Sequence, residues 1–201
     1  MKKRSKRIMS TLLFVIVSTV VIWITLTIVV RQEGPERIAI IGSSTNDYKA
    51  LIIYDPDPIY NLDEKVSRSF AAGLAENGWL SKLSTVAAAK KLEKEEEFDL
   101  YVFCANTYNW TPDKAIRDHI NEDEHLKGKN VVAITLGSGA TKRSQRLLED
   151  LIKEKEATLI GSREFWLMKS NDESKTKRSN IKIALEMANT FGKEIAKKIK
   201  N

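Results

Sequence analysis

The first thirty residues contain one long apolar segment. From Ile8 to Val30 no charged residue occurs over 23 positions, and at about 1.5 Å per helical residue this length crosses a hydrocarbon layer roughly 30 Å thick. A cleaved signal peptide is the alternative, but the bulky β-branched residues that precede Arg31 do not form a small-x-small cleavage site. The pattern therefore predicts an uncleaved transmembrane helix over residues 8–30.

Basic residues are concentrated before this segment. Arg31 and Arg37 follow it closely, and five basic residues precede it: Lys2, Lys3, Arg4, Lys6 and Arg7. The positive-inside rule keeps the more basic flank in the cytoplasm. Residues 1–7 are therefore predicted to form a cytoplasmic tail, and the domain that follows the helix is predicted to lie on the extracytoplasmic side of the membrane.

Apolar runs of strand length alternate with amphipathic helical patterns over residues 50–201. The predicted strands are Leu51 to Tyr54, Leu83 to Val86, Phe98 to Cys104, Val131 to Leu136 and Ala157 to Ile160. The predicted helices are Asp63 to Asn77, a short segment rich in Ala, Lys and Glu after the second strand, Pro112 to Asn121, Arg143 to Glu154 and Asn180 to Ile199. Five strands that alternate with helices are typical of an α/β fold with a doubly wound parallel sheet.

Residues 31–49 link the apolar segment to this domain. Ile38 to Ile41 predicts either a short extra strand or part of the connection. Gly42 to Asp47 has the composition of a phosphate-binding loop, but such a loop leads into a helix whose amino end helps to hold the anion. Because another strand follows at once, a turn is predicted there.

The most informative stretch is FDLYVFCANTYNWTP, from Phe98 to Pro112. A buried strand ends here in a loop, Asn106 to Trp110, that carries two aromatic residues. Thr111-Pro112-Asp113 then predicts a helix that begins at Pro112, since Pro is favoured at the first helical position and an acid is favoured near it. In an open parallel sheet, ligands bind at the carboxyl ends of the strands. The loop is therefore predicted to bind a small planar molecule.

Composition changes this picture little. The net charge of +6 is concentrated before residue 38, after which 26 Lys and Arg face 25 acidic residues. This mixed charge does not indicate a nucleic-acid partner. Cys104 is the only cysteine and lies in an apolar strand, where a buried packing role is favoured over a reactive thiol.

No catalytic or metal-binding residue is predicted. His119 and His125 lie among acidic residues without a regular ligand spacing, and no combination of Ser, His and acid indicates a nucleophile. A phosphoacceptor receiver domain has the same strand order, but it needs an Asp at the end of the third strand. The sequence there is Cys104-Ala105-Asn106.

Three segments resemble the flavodoxin family: the strand and helix from Leu51 to Gly78, the loop ANTYNWTP, and the segment LKGKNVVAITLGSG that ends at Gly139. The resemblance implies strand order 2-1-3-4-5 and FMN bound over the ends of the first, third and fourth strands. Thr107 and Tyr108 match the family's Thr-Tyr pair, and Asn106 replaces its usual proline. The cofactor-binding residues that the resemblance implies are Asn106, Thr107, Tyr108, Trp110, Gly137, Ser138 and Gly139.

The loop after the first strand departs from the family. Flavodoxins hold the FMN phosphate there with Ser, Thr, Gly and Asn, whereas this chain has the acidic loop Asp55-Pro56-Asp57-Pro58-Ile59-Tyr60-Asn61. The two carboxylates repel a phosphate, at roughly 1 to 4 kcal/mol for each contact, and the prolines lack N–H donors. The loop therefore predicts poor FMN binding, and it can also be interpreted as a stiff acidic turn.

Two aromatic segments keep alternative interpretations. Tyr108 and Trp110 either bind a ligand or cover the end of the sheet, since burial of such a ring contributes roughly 1.5 to 3 kcal/mol without any ligand. Residues 163–175, with Phe165, Trp166 and Leu167-Met168, form either a lid or partner surface, or an apolar segment that tucks into the core. The tuck is favoured.

Two functions are consistent with the sequence. The first is a membrane-anchored flavoprotein that binds FMN or another flavin and exchanges electrons with a redox protein partner. The second is a flavodoxin-like domain that has lost FMN and serves as a binding or assembly module at the membrane.

Overall fold

A computed structural model describes residues 2–29, 34–57, 60–92, 96–175 and 178–200 of the chain. These fall into two compact units, residues 1–32 and 33–201. The first unit is helix α1 (Lys2–Val29). Its 24 residues from Lys6 to Val29 form the one helix within the described ranges that is long and apolar enough to cross a membrane, a property that anchors and signal sequences share.

The second unit is a twisted sheet with helices on both faces. Its strands are β1 (Ile38–Ile41), β2 (Tyr48–Tyr54), β3 (Trp79–Thr85), β4 (Leu100–Tyr108), β5 (Thr111–Pro112), β6 (Asn130–Gly137) and β7 (Thr158–Trp166). Its helices are α2 (Leu62–Ala75), α3 (Val86–Ala89), α4 (Lys114–Glu122), α5 (Lys142–Glu154) and α6 (Asn180–Lys200), with a short 3-10 turn at Glu173–Lys175.

The sheet order confirms the predicted topology. The strands follow one another as β1-β3-β2-β4-β6-β7, and the five long strands are parallel. Numbered along the chain, these five have the order 2-1-3-4-5. The sheet also has two short antiparallel members. Of the two alternatives for Ile38 to Ile41, the short extra strand is correct, since β1 pairs with β3 at one edge. The two-residue β5, which was not predicted, pairs with β4.

The second parallel strand lies earlier than the sequence pattern predicted. It was expected at Leu83 to Val86, whereas β3 begins at Trp79 and ends at Thr85, and Val86 opens α3. Trp79 and Leu83 are buried, but Ser81 and Ser84 are buried as well. The apolar run is therefore interrupted by polar residues that the fold encloses, which weakens the strand pattern.

Alternate residues of each central strand face two separate cores. Ile52 and Val102 contribute to the core beneath α2 and α6, whereas Ile53 and Phe103 contribute to the core beneath α4 and α5. Burial of each such side chain contributes about 1.5 to 3 kcal/mol. Cys104 lies in the first core, and its burial raises the pKa of the thiol, which confirms the predicted packing role.

Candidate functional site

Strand β4 continues through the predicted ligand loop before the chain turns. It extends to Tyr108, and Asn109 and Trp110 form the turn with φ values of 51° and 61°. The chain then returns as β5, in which Pro112 lies opposite Thr107. The predicted helix start at Pro112 is therefore wrong, because Pro112 belongs to this antiparallel pair.

Helix α4 begins two residues later, at Lys114, and Asp113 is its N-cap. The Oδ1 atom of Asp113 accepts a hydrogen bond from the Ile116 N–H at 2.9 Å, and its Oδ2 atom accepts one from the Asn106 N–H at 2.9 Å. One buried carboxylate thus caps the helix and fixes the end of β4.

Asn106 connects this carboxylate to the loop after β2. Its side-chain Nδ2 donates to Asp63 Oδ2 at 2.9 Å and to the backbone oxygen of Asp55 at 3.3 Å. The side chains of Asn106 and Asp63 are both buried, and that of Asp63 is buried completely. The residue that replaces the family's proline is therefore a structural bridge between the ends of the first and third parallel strands.

Carboxylates occupy the amino end of α2. The N–H groups of Asp57 and Glu64 donate to the Asp63 carboxylate at 2.6 and 2.7 Å, and the Tyr60 N–H donates to Asp57 Oδ1 at 2.8 Å. Asp55 Oδ1 accepts the Gly34 N–H at 2.8 Å. The N–H groups of Asp57 and Tyr60 in the acidic loop are thus used by nearby carboxylates of the chain itself. Pro58 and Ile59 lie outside the described residues.

Tyr108 closes one side of this network. Its hydroxyl donates to Asp57 Oδ2 at 2.6 Å. Burial raises the pKa of Tyr108, and its hydrogen bond to Asp57 raises it further, so the hydroxyl stays protonated near neutral pH. The side chain is therefore a hydrogen-bond donor that ties the end of β4 to the acidic loop.

A crevice of about 180 Å³ opens between these elements. It is lined by Asp57, Tyr60, Leu62, Asn106, Thr107, Tyr108, Gly137, Ser138, Leu167 and Met168. Five of the seven predicted cofactor-binding residues therefore meet here, from β4 and from the end of β6. That these residues bind a ligand stays a prediction.

Trp110 and Gly139 do not line the crevice. Trp110 is 60% exposed and lies in the turn at positive φ between β4 and β5. A side-chain carbon on Gly139 would lie 2.8 Å from the Lys169 Cβ, so Gly139 packs beneath the segment that follows β7.

That segment supplies two lining residues that the sequence analysis did not assign to the site. The N–H groups of Leu167 and Met168 donate to the carbonyl oxygens of Gly137 and Ser138 at 2.8 and 3.1 Å. The favoured prediction was that the apolar residues from Phe165 to Met168 tuck into the core. It holds for Phe165, which is fully buried, and is wrong for Met168, which is 71% exposed. Strand β7 itself continues to Trp166, beyond its predicted end at Ile160, because Gly161 to Trp166 pair with β6.

The carboxyl groups below the crevice share an unfavourable electrostatic environment. Burial raises the pKa of Asp113 to about 8, and the negative charge of Asp55 raises it as well. The N–H groups of Ile116 and Asn106 act in the opposite direction and lower this pKa. Burial also raises the pKa of Asp63. The site therefore resists further negative charge.

A larger cleft, of about 550 Å³, lies near the amino ends of β2 and β4. Leu51, Phe98 and Tyr101 line it, together with His119 and His125. In this fold the ligand crevice lies at the opposite, carboxyl end of the strands, so the smaller crevice is the candidate site.

Comparison with known proteins gives the same fold. No family model matches the sequence, and no curated protein matches it. An archaeal flavodoxin is similar in structure with a TM-score of 0.58 at 12% identity, over 76% of this chain and 99% of that one. The fold is flavodoxin-like. A flavodoxin of the WrbA-like type from Agrobacterium tumefaciens gives a TM-score of 0.57 at 13% identity, over 77% and 98% of the two chains.

The rubredoxin:oxygen oxidoreductase of Desulfovibrio gigas is also similar, with a TM-score of 0.57 at 15% identity. The similarity covers 76% of this chain and 36% of the oxidoreductase, so this chain spans about a third of that enzyme. At these identities the likeness establishes the fold alone.

The flavodoxin-like fold implies FMN, and the residues at the phosphate end do not fit it. The N–H groups of Asp57, Tyr60 and Glu64, which lie where a phosphate would need donors, already donate to carboxylates. Asp57 also presents a carboxylate where the phosphate charge would lie. The crevice itself is lined by Tyr60 and Tyr108, and by Gly137 and Ser138 at the end of β6.

Proposed function

We propose that this protein is a membrane-anchored, flavodoxin-like binding module that does not hold FMN by its phosphate. The observation that carries this proposal is the pair of carboxylates, Asp57 and Asp63, that accept three backbone N–H groups, two in the acidic loop and one, of Glu64, in the first turn of α2. A helix amino end with free N–H groups attracts an anion. Here the chain supplies its own anions.

The energetic balance supports this proposal. A phosphate dianion would have to displace the carboxylates from their donors and would then lie beside at least one of them. Each contact between like charges costs on the order of 1 to 4 kcal/mol in a partly solvated site, and about 1.4 kcal/mol corresponds to a factor of ten in affinity. The expected affinity for FMN is therefore one to three powers of ten below that of an equivalent neutral loop.

A second candidate is a flavoprotein that binds the flavin ring only. Tyr108, Gly137 and Ser138 line the crevice together with Leu167 and Met168, and aromatic and apolar groups of this kind favour a planar ligand. In that case riboflavin or FMN would be held without a phosphate site, and electrons would pass to a redox protein partner. The redox proteins that share the fold favour this candidate.

The membrane location is part of the proposal. The apolar span of helix α1 would serve as the anchor, and the five basic residues at its amino end favour an orientation with the domain on the extracytoplasmic side. Protease added outside intact cells should digest the domain. Protection of the domain until the cells are lysed would contradict this orientation, and release of the protein from membranes by alkaline carbonate would contradict anchoring.

The ligand question is tested with the full chain purified in detergent. We expect a colourless protein whose spectrum and flavin fluorescence do not change when FMN is added. A yellow protein that retains FMN through purification would overturn the proposal. Binding of riboflavin without binding of FMN would establish the second candidate.

A further inference from the structure

Three exposed side chains lie at the carboxyl end of the sheet, each on a different connection. Tyr60 lies between β2 and α2, Trp110 between β4 and α4, and Met168 directly after β7. They are 49%, 60% and 71% exposed. Tyr60 and Met168 line the same crevice, and Trp110 lies on a neighbouring connection at the same end. Exposed large apolar and aromatic side chains at one end of a domain indicate a surface that contacts something other than water.

The chain enters the domain at this same end. Gly34, the first described residue of the domain, donates its N–H to the side chain of Asp55, which directly follows β2. Four residues, 30–33, separate Gly34 from Val29, where the description of α1 ends. The segment that follows α1 therefore joins the domain at the carboxyl end of the sheet.

Basic residues at this end oppose the usual helix preference. Helix α5 begins with Lys142 and Arg143, both exposed, and its first turn contains no acid. The positive end of the helix dipole favours acids at that position, so these two charges do not stabilise their own helix. Lys169, which directly follows Met168, has its ammonium group 4.0 Å from the centre of the Trp166 ring.

We propose that the carboxyl end of the sheet contacts the surface of the membrane that holds α1. Trp110, Tyr60 and Met168 would enter the region of the lipid headgroups, and Lys142 and Arg143 would face their phosphates. This assignment rests on the proposed membrane anchoring. We define the contact surface as these five residues.

Three properties of the contact surface fit a lipid surface as its occupant. Trp and Tyr are enriched where proteins meet the interface of a membrane. Lys and Arg are attracted to anionic headgroups over a distance comparable to the Debye length. The carboxyl groups of Asp55, Asp63 and Asp113 are buried within the domain. The half-buried Asp57 carboxylate accepts the Tyr108 hydroxyl and the Tyr60 N–H, so its two oxygens are already engaged within the domain.

The test uses the full chain in vesicles of phosphatidylcholine and phosphatidylglycerol. Cys104 is the only cysteine and is fully buried, so a nitroxide label can be attached at an introduced cysteine. Met168→Cys places the label on the contact surface. Asp47→Cys places it at the opposite end of the sheet, directly before β2 and exposed. We expect a nickel chelate carried on a lipid to relax the label at 168 several-fold more than the label at 47.

Equal relaxation at the two positions would overturn the inference. Anchoring is measured in the same samples by carbonate extraction, so a failure of the anchor is distinguished from a failure of the contact surface. A label at 168 that stays in water in lipid vesicles but becomes immobile in native membranes would assign the surface to a protein partner and overturn the lipid assignment.

The basic residues are tested in the Met168→Cys background. Replacement of Lys142 and Arg143 by Glu should reduce the relaxation of the label several-fold, because it reverses the charge that faces the headgroups. Replacement of Lys127 and Lys129 by Glu makes the same change in net charge near the amino end of β6. An equal loss with this control would overturn a specific role for the contact surface.

Discussion

The hydroxyl of Tyr108 donates a hydrogen bond to Oδ2 of Asp57 at 2.6 Å, across the candidate crevice. The same carboxylate accepts the Tyr60 N–H through its other oxygen. The tyrosine that the sequence predicts at a ligand crevice therefore holds the acidic loop in the structure. Together with the bonds from Asn106 to Asp55 and Asp63, this bond connects the end of β4 to the acidic loop and α2.

Tyr108→Phe should destabilise the domain by about 1.5 to 3 kcal/mol, the usual contribution of a hydrogen bond to a charged group. The ring and its packing are kept, so the loss reports the bond to Asp57. Tyr60→Phe, in the same loop region and 49% exposed, makes the matched change and should alter the stability by less than about 0.5 kcal/mol. The free energies of unfolding are measured by urea denaturation. Equal values for the two variants would contradict the role of Tyr108.

Phe103→Ala should destabilise the domain by roughly 3 to 5 kcal/mol. Phe103 is completely buried in the core beneath α4 and α5. Its truncation removes apolar contacts and leaves a cavity. Leu147→Ala on the exposed side of α5 is the control and should cost much less, because 39% of the Leu147 surface is already accessible. An unchanged thermal midpoint for Phe103→Ala would contradict the packing described for β4.

The buried acids should make the domain less stable as the pH rises. Burial raises the pKa of Asp113 from 3.8 to about 8, so the folded state holds this proton more tightly than the unfolded state does. Stability is then highest near the unfolded pKa and falls as the pH rises towards the folded pKa. The raised pKa of Asp63 lowers the stability with rising pH in the same way. The lowered pKa of Glu64 has the opposite effect, and that effect is confined to pH values around and below the ordinary Glu pKa of 4.5.

The urea midpoint should therefore be higher at about pH 5.5 than at about pH 8.5. Asp113→Asn removes the titrating group and should flatten this dependence, whatever its effect on the absolute stability. A wild-type midpoint that rises with pH over this interval would contradict the assignment.

Sequence periodicity was sufficient for the parallel sheet, because the central strands are buried on both faces and their apolar runs are continuous. It was insufficient where tertiary contacts decide the structure. Gly73 and Gly192 allow α2 and α6 to touch: a side-chain carbon on either would lie 2.0 or 2.2 Å from a carbonyl oxygen of the other helix. No local pattern marks two glycines from distant helices as partners.

The candidate site shows the same division. The sequence located the crevice loops and the acidic departure at Asp55 to Asn61, since both are local features. It did not reveal that the Asp57 carboxylate accepts the Tyr108 hydroxyl or that Asp63 accepts the Asp57 N–H. These bonds depend on β2 and β4 ending side by side. The position of Trp110 was missed for a related reason, since a residue at positive φ redirects the chain.

The last prediction concerns replacement of the acidic loop. If Asp55 to Asn61 is exchanged for a loop of equal length made of Ser, Thr, Gly and Asn, the carboxylate of Asp57 is removed and hydroxyl and N–H donors become available at the amino end of α2. FMN affinity should then rise by about one to three powers of ten, and FMN should be preferred to riboflavin. The same exchange with Asp57 retained is the control, and it should recover less of the FMN affinity because one carboxylate still faces the phosphate. Quenching of flavin fluorescence measures both ligands. If the exchanged loop binds neither flavin, the crevice between Tyr108 and Ser138 is too closed for the ring, and the binding-module function stands without a flavin.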